Sequence, residues 1–134
     1  MKLFTLSAKE RLKSRKQIGL VFNEGRHLNM APLRLSWLAD RGQADEPLQI
    51  GVGASGRHFK RAVDRNKIKR LLREAWRLQK NPLKEKLIQE EKKVSVFIIY
   101  TGRELPNMET IMDKVKEAIE KLIQLVDENN TSGT

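Results

Sequence analysis

The stretch RHFKRAVDRNKIKRLLREAWRLQK, residues 57–80, carries most of the net charge of this 134-residue chain. It contains ten Lys and Arg residues against only Asp64 and Glu74, which gives it eight of the ten net positive charges of the protein. At about 100° per residue on an α-helix, its apolar side chains occupy an arc of their own. This arc comprises Ile68, Leu71, Leu72, Ala75 and Leu78. The pattern predicts a helix with one face in a core and another open to an anionic partner.

Five cations of this stretch follow one another at i, i+4 spacing: Arg61, Arg65, Lys69, Arg73 and Arg77. Like charges at this spacing destabilise an isolated helix by roughly a few tenths of a kcal/mol per pair, so an external polyanion is a natural compensation. Cations that neutralise phosphates release condensed counterions and bind in a salt-dependent way. The alternative is a solvated surface, although such surfaces usually mix charges of both signs. The stretch therefore favours nucleic-acid binding.

Length and composition indicate one small domain. A chain of 134 residues can bury about two thirds of its unfolded surface in one core, so we expect a single domain over 1–134, with a folded core at 11–126. The absence of cysteine excludes disulfides, thiolate metal sites and thiol nucleophiles. No signal peptide or membrane span is evident, so we expect a cytoplasmic protein. The pI near 10.1 favours anionic partners, and an anionic membrane surface is the weaker alternative because the core needs the apolar arc.

The N-terminal half predicts one helix and two strands. Ser14 and Gln17 form an S-x-x-Q capping box before a helix at about 15–24, which ends near Gly25. Alternating apolar residues predict a strand over 30–39. A turn at 40–47 then leads to a second strand at 48–54, which we expect to pair with the first as a hairpin.

The C-terminal half predicts a buried strand and a closing helix. The basic helix should end before Pro82, because the residue preceding a proline is disfavoured in the α region. KVSVFIIY, 93–100, is apolar on both faces, as is typical of a central strand. The helix between the strands suggests a crossover that makes strands 48–54 and 93–100 parallel. Apolar residues at helical spacing from Met108 to Leu125 predict an amphipathic helix, and residues 129–134 are expected to be a flexible tail.

One stretch imitates a nucleotide-binding loop, since residues 51–56 read G-x-G-x-x-G between a strand and a helix. A dinucleotide fingerprint needs an acid about 20 residues further on, at the end of the next strand, whereas Glu74 lies within the basic helix. A phosphate loop needs Lys and Ser or Thr where Arg57 and His58 stand. We therefore interpret the glycines as residues that let the chain leave the strand and turn toward the helix.

Other catalytic patterns are missing from the sequence. His27 and His58 are the only histidines, and they have neither the spacing of a metal pair nor a nucleophile partner. The acidic residues of the second half alternate with lysines, for which ion pairing on a helix surface is the ordinary explanation. The sequence indicates no catalytic residue, no metal site and no small-molecule substrate, so we do not expect the protein alone to be an active enzyme.

The basic helix also carries a family resemblance. RAVDRNKIKRLLREAWR, 61–77, resembles the signature of the protein subunit of bacterial ribonuclease P, whose pattern R-N-x-x-K-R-x-x-R falls on Arg65, Asn66, Lys69, Arg70 and Arg73. IGVGASGRHFKRAV, 50–63, resembles the strand and turn before it, although Arg57 stands where the family usually has two lysines. RLKSRKQIGLVFNEG, 11–25, resembles the family's first helix. The likeness extends from about Arg11 to Tyr100 and includes the C-terminal helix.

The resemblance implies a fold and a function. The fold would be a single two-layer α+β domain with a mixed four-stranded sheet, helices and a left-handed β-α-β crossover, an exception to the usual rule. The function would be that of a ribonucleoprotein endonuclease that removes the 5′ leader from precursor tRNA. The RNA subunit would perform the phosphodiester hydrolysis with magnesium, which it would mainly hold, and the protein alone would bind no cofactor.

Two sets of site residues follow from the resemblance. The catalytic RNA would be bound by Arg57, Lys60, Arg61, Arg65, Asn66, Lys69, Arg70, Arg73 and Arg77. The single-stranded leader of precursor tRNA would lie in a cleft between the first helix and the sheet, with Ile18, Phe22 and Trp37 as candidates. For Trp37 the sheet core is an equal alternative, whereas Trp76, at the border of the two arcs, is predicted to be core.

Other classes of function stay open at this point. A ribosome-associated or general RNA-binding module without a role in cleavage would carry the same charge. A DNA-binding helix is disfavoured, because no pair of helices joined by a short turn is evident around residues 57–80. A nucleotide-binding enzyme would require saturable binding of ATP or NAD.

Overall fold

The computed structural model describes residue 6, residues 8–39 and residues 46–132. Within these residues a short 3-10 turn, Ala8–Glu10, precedes four helices and four strands. In chain order they are α1 (Arg15–Glu24), β1 (Arg26–Met30), β2 (Leu33–Ala39), β3 (Leu48–Ala54), α2 (Ala62–Gln79), α3 (Asn81–Gln89), β4 (Val94–Tyr100) and α4 (Met108–Ser132). The turn predicted at 40–47 lies, for residues 40–45, outside the described residues.

The strands form one mixed sheet in the order β1-β2-β4-β3. β4 pairs antiparallel with β2 and parallel with β3, which confirms both the central position of this strand and the parallel crossover. The predicted hairpin between β2 and β3 is wrong, because β4 lies between them. A strand that is apolar on both faces suits the interior of the sheet, and its pairing separates two strands that are neighbours in sequence.

The N-terminal hairpin is formed by β1 and β2 instead, with Met30 opposite Leu33. The sequence predicted one strand over 30–39, but Ala31 and Pro32 form the turn and Met30 belongs to β1. Proline has no N–H to give to a strand ladder, so it interrupts the predicted strand. β1 itself was missed because its sequence, RHLNM, is short and lacks strict alternation.

The main core lies between one face of the sheet and helices α2, α3 and α4. Alternate residues point to opposite faces of a strand, and those of β2, β3 and β4 that face these helices are buried. Trp76 of α2 is 1% exposed, as predicted. Leu78 was predicted on the same arc, but it is 38% exposed, so the buried arc is narrower than expected.

Helix α3 was not predicted from the sequence. Pro82 lies in its first turn, where proline is well tolerated.

Helix α1 lies across the opposite face of the sheet. Ser14 caps it by accepting a hydrogen bond from the Gln17 N–H (3.3 Å), as the capping box predicted. Gln17 Nε2 donates to Ser95 Oγ of β4 (3.4 Å). The following Gly25 is extended, with φ −79°, and a Cβ there would collide with the carbonyl oxygens of Val21 and Trp37. Close approach, and not a left-handed conformation, explains this glycine.

The segment before α1, residues 11–12, runs beside the outer edge of β3. Arg11 bridges Ile50 in parallel orientation, and the Leu12 N–H donates to the Ile50 carbonyl oxygen at 2.8 Å. At the other end of the chain, α4 runs to Ser132, so the tail predicted from residue 129 is helical to 132, and residues 133 and 134 lie outside the described residues.

The α+β class with a mixed four-stranded sheet is confirmed. The two-layer description holds for the main core, to which α1 adds a small layer on the other face. The left hand of the crossover stays a prediction. No helix in the described part of the chain is both long and apolar enough to cross a bilayer.

Candidate nucleic-acid interface

A groove of about 480 Å³ runs along the exposed side of α2. Its lining includes five of the nine residues predicted to bind RNA: Asn66, Lys69, Arg70, Arg73 and Arg77. Leu6, Arg11 and Glu74 complete the lining. On the opposite side of the helix, Ile68, Leu72 and Ala75 are fully buried, so burial of the apolar arc fixes the direction in which the cations project.

The five cations at i, i+4 spacing, Arg61 to Arg77, do not all lie along this groove. Four residues advance an α-helix by roughly 40° beyond a full turn, so successive cations of the series are displaced around the axis of α2 from its start to its end. Arg61 is the exposed N-cap residue, and Arg57 and Lys60 are exposed in the segment before it. These three and Arg65 do not line the groove.

Arg65 has a structural role that the sequence did not reveal. Its Nη1 donates to the carbonyl oxygens of Phe59 (2.7 Å) and Lys60 (2.8 Å). The side chain thereby holds the turn that leads into α2, and Phe59, 6% exposed, anchors that turn in the core. Hydrogen bonds from a charged donor are about twice as strong as neutral ones, so this guanidinium stabilises the start of the basic helix.

One groove cation is partly neutralised by its own helix. Arg77 forms an ion pair with Glu74, in which Nε lies 3.1 Å from Oε2. The hydrogen bond from Arg77 holds the pKa of Glu74 below its usual value, and the same bond raises the pKa of Arg77. In the part of the chain that the structure describes, Lys69, Arg70 and Arg73 form no such pair. The groove therefore carries three cations that no described carboxylate neutralises.

Arg73 faces a second guanidinium from a distant part of the chain. Partial burial lowers the pKa of Arg73, and the charge of Arg11 lowers it further. An arginine side chain is always charged in a folded protein. Two like charges at a partly buried position repel each other, and an anion bound between them would relieve the repulsion. Arg11 was not among the predicted site residues.

A second groove, of about 320 Å³, opens beside α1. Ile18, Gly51 and Phe97 line it, together with Arg11 and Arg73. The two grooves therefore share the Arg11 and Arg73 side chains and form one continuous path from α2 to the face of the sheet that α1 partly covers. Lys13 extends the positive charge along this second groove.

The predicted cleft residues are only partly brought together. Ile18 lines the second groove, and the Phe22 ring lies 5.1 Å from that of Phe97, between centroids, at an angle of 59°. Trp37 is 2% exposed and belongs to the main core, on the face away from α1, so the core alternative is the one that the structure supports. Phe97 was missed because its strand was interpreted as buried on both faces.

Phe97 accounts for two of the three glycines in the G-x-G-x-x-G pattern. Gly51 and Gly53 lie within β3, not in a loop, and a Cβ on Gly51 would be 2.5 Å from Cδ2 of the Phe97 ring. The ring occupies the space that a side chain on Gly51 would need, and a Cβ on Gly53 would lie in tight contact with it, 3.3 Å from Cε1. The prediction that the glycines are structural fits this packing, but only Gly56 belongs to the turn that we expected them to form.

The histidines have ordinary surroundings. His27 Nδ1 lies 2.8 Å from Ser36 Oγ on the neighbouring strand, and His58 is exposed before α2. Among the described residues, no three His, Asp or Glu side chains lie close enough together to hold a metal ion.

Comparison with known proteins identifies the family of this chain. A family model described as Ribonuclease P matches residues 6–123. The ribonuclease P protein component of Porphyromonas gingivalis is 32% identical over 116 residues, which cover 87% of this chain and 85% of that protein. The component of Chlorobaculum tepidum is 30% identical over 120 residues, covering 83% and 78%.

The fold has a counterpart among solved structures. The RNase P protein of Staphylococcus aureus matches with a TM-score of 0.62 at 17% identity, over 84% of this chain and 94% of that one. This likeness concerns the fold alone, whereas the family model and the curated relatives span most of the sequence. The chain therefore belongs to the family of ribonuclease P protein components.

Proposed function

We propose that this protein is the subunit of a cytoplasmic ribonucleoprotein that removes the 5′ leader from precursor tRNA, with the catalytic RNA performing the hydrolysis. Family membership supports the overall role. The observation that carries the division of labour is the continuous positive path from the α2 groove, through Arg11 and Arg73, to the groove beside α1. The α2 groove would bind the catalytic RNA, and the groove beside α1 would bind the leader.

The α2 groove would bind the catalytic RNA through its phosphates. Lys69, Arg70 and Arg73 supply charges that no described carboxylate neutralises, and each phosphate contact contributes to a salt-dependent affinity. Asn66 can donate through its amide, and Arg77 contributes less because Glu74 shares its charge. Arg57, Lys60 and Arg61 would extend the contact beyond the start of α2. Arg65 would act by holding the turn from which these three project.

The groove beside α1 would hold the single-stranded leader. Single strands bind through a basic track and through stacking on aromatic rings, which contributes about 1 to 3 kcal/mol per stacked base. Phe97 and Phe22 supply the rings, Ile18 supplies an apolar wall, and Arg11 and Lys13 supply charge. Gly51 and Gly53 let the Phe97 ring lie directly against the backbone of β3, so a base that stacks on this ring would lie close to the sheet.

The protein itself contributes binding and not chemistry in this proposal. Magnesium would be held mainly by the RNA, since the described residues offer no cluster of carboxylates or histidines that fits the ion. The protein would bring the leader and the catalytic RNA into one complex and would lower the electrostatic repulsion between their phosphates.

The proposal is tested by adding the purified protein to a cognate ribonuclease P RNA and measuring cleavage of precursor tRNA at low magnesium. We expect the protein to raise the cleavage rate, and to raise affinity for precursor tRNA more than for mature tRNA. A ribosome-associated or general RNA-binding module is the alternative. It would bind the RNA with similar salt dependence, but it would change neither the cleavage rate nor the preference for the leader.

A further inference from the structure

A third concavity lies between the first two turns of α2 and the segment that connects β4 to α4, residues 101–107. It has a volume of about 370 Å³, within the range of roughly 300 to 1,000 Å³ that is typical of small-ligand sites. Its lining residues are Val63, Asp64, Asn66, Lys67, Arg70 and Leu105. Asn66 and Arg70 also line the α2 groove, so this α2–loop pocket opens directly beside it.

The pocket presents apolar surface to solvent. Val63 is 59% exposed and Leu105 is 45% exposed. A single exposed aliphatic residue is ordinary and needs no explanation. Here two such residues, from segments far apart in sequence, line the same concavity. Neither side chain belongs to the buried core. Together they offer a ligand an apolar surface in the pocket.

The loop side of the pocket is held in place by hydrogen bonds. The Tyr100 hydroxyl donates to the Glu104 carbonyl oxygen (2.8 Å), and a Cβ on Gly102 would collide with that hydroxyl. Asn107 Oδ1 accepts a hydrogen bond from the Thr110 N–H (2.8 Å) and so fixes the start of α4. Leu105 lies between these two anchors, so the pocket is formed before any ligand arrives.

The charge of the pocket is suited to a phosphate. Lys67 and Arg70 are exposed and have no ion-pair partner among the described residues, and Asp64 is the one acid in the lining. A cationic rim beside an apolar floor matches a nucleotide, which combines a phosphate with a flat ring. A protein partner is less suitable, because a stable protein interface buries about 800 Å² on each side, far more than Val63 and Leu105 supply.

We propose that the α2–loop pocket holds one unpaired nucleotide of the RNA bound along α2. The base lies against Val63 and Leu105, and its phosphate is bound by Lys67 and Arg70. The Asp64 carboxylate accepts a hydrogen bond from an amino group of the base or from a ribose hydroxyl. The proposal rests on the proposed function, which supplies the RNA, and it adds a specific contact to a groove that otherwise binds phosphates.

The first test separates the apolar contact from the phosphate contact. The dissociation constant for the cognate ribonuclease P RNA is measured at several salt concentrations. Val63→Ala/Leu105→Ala should weaken binding roughly tenfold, because the truncations remove apolar surface that the base would cover, and leave the salt dependence unchanged. Lys67→Ala should reduce the slope of log affinity against log salt by about one. Ile88→Ala is the matched control, because Ile88 is 55% exposed on α3, away from the pocket.

The second test locates the nucleotide. A photoreactive phenylalanine analogue at position 105 of the full protein should cross-link to one unpaired nucleotide of the RNA, and the same analogue at position 88 should not. Binding by the double variant at wild-type strength, or cross-links from position 105 spread over paired regions, would overturn the pocket proposal while wild-type cleavage still supports the proposed function. If the wild type itself neither binds the RNA nor promotes cleavage, the proposed function fails as well.

Discussion

Lys80, at the end of α2, forms a buried ion pair with Glu10, whose Oε2 lies 2.5 Å from Lys80 Nζ. The two side chains are 3% and 5% exposed, and Lys84 approaches the same carboxylate oxygen at 3.2 Å. The pair joins residues 70 positions apart and holds the 3-10 turn against the helical layer. Arg11 follows Glu10 directly, so this ion pair holds the chain next to the position where the charge of Arg11 acts on Arg73.

Removing one member of the pair should be strongly destabilising. Glu10→Ala leaves the buried Lys80 charge without its main compensation, and we expect the free energy of unfolding to fall by roughly 3 to 5 kcal/mol, measured by urea denaturation. Glu117→Ala, in the exposed pair with Lys114, is the control and should change it by less than about 1 kcal/mol. A loss of similar size in both variants would contradict the importance of the buried pair.

Arg65 should contribute to the folding stability of the protein, although it belongs to the family signature that is expected to bind RNA. Arg65→Ala removes two charged hydrogen bonds to the turn before α2, and we expect the free energy of unfolding to fall by about 1 to 3 kcal/mol. Arg70→Ala, at an exposed position on the same helix, should leave it nearly unchanged. Thermal unfolding monitored by circular dichroism compares the two, and equal midpoints would show that the Arg65 bonds contribute nothing.

Arg11 and Arg73 should act on RNA binding and not on folding. Each single change to alanine would remove one of the proposed contacts to phosphate, so the slope of log affinity against log salt should fall by about one. Folding stability should not decrease through electrostatics, because either change relieves the repulsion between the two guanidinium groups. The measurement is fluorescence anisotropy of labelled RNA over a salt series. Lys116→Ala on α4 is the control, and a slope change as large in this variant would refute the assignment.

The sheet glycine under Phe97 should be intolerant of a side chain. Gly51→Ala places a methyl group 2.5 Å from the ring, so Phe97 must move and its contact with Phe22 is disturbed. We expect a loss of roughly 1 to 3 kcal/mol in stability and weaker binding of precursor tRNA relative to mature tRNA. Gly19→Ala on α1 is the control.

No atom lies within 4 Å of the position that a Cβ on Gly19 would occupy. The control should therefore stabilise the protein by about 0.5 to 1 kcal/mol, since alanine favours a helix over glycine. A Gly51→Ala variant as stable as the wild type would show that Phe97 is not confined by the sheet.

Short sequence patterns correctly predicted the start of α1, the helix α2 and the parallel pairing of β3 with β4. The Ser14 capping box placed the start of α1, and apolar periodicity placed α2 and its orientation. The parallel pairing of β3 with β4 followed from the order of strand, helix and strand. Pro32 was visible in the sequence, and it would have divided the predicted strand over 30–39 correctly.

What the sequence could not predict depends on contacts between distant segments. The insertion of β4 between β2 and β3 is decided by the whole sheet, and no property of residues 30–54 reveals it. Arg11 lines the α2 groove next to Glu10, which is paired with the distant Lys80. Phe97 lines the groove beside α1, where its ring lies against two glycines of the next strand. In each case the decisive partner is more than 40 residues away in the sequence.

The bridge between Arg11 and Ile50 has a further consequence for the behaviour of the protein in solution. An open strand edge offers unpaired N–H and C=O groups to other molecules and promotes aggregation. By running beside β3, the segment at 11–12 shields part of the most apolar edge of the sheet. Proteolytic removal of this segment would uncover a glycine-containing, nearly uncharged strand, and truncated molecules would then associate edge to edge and precipitate.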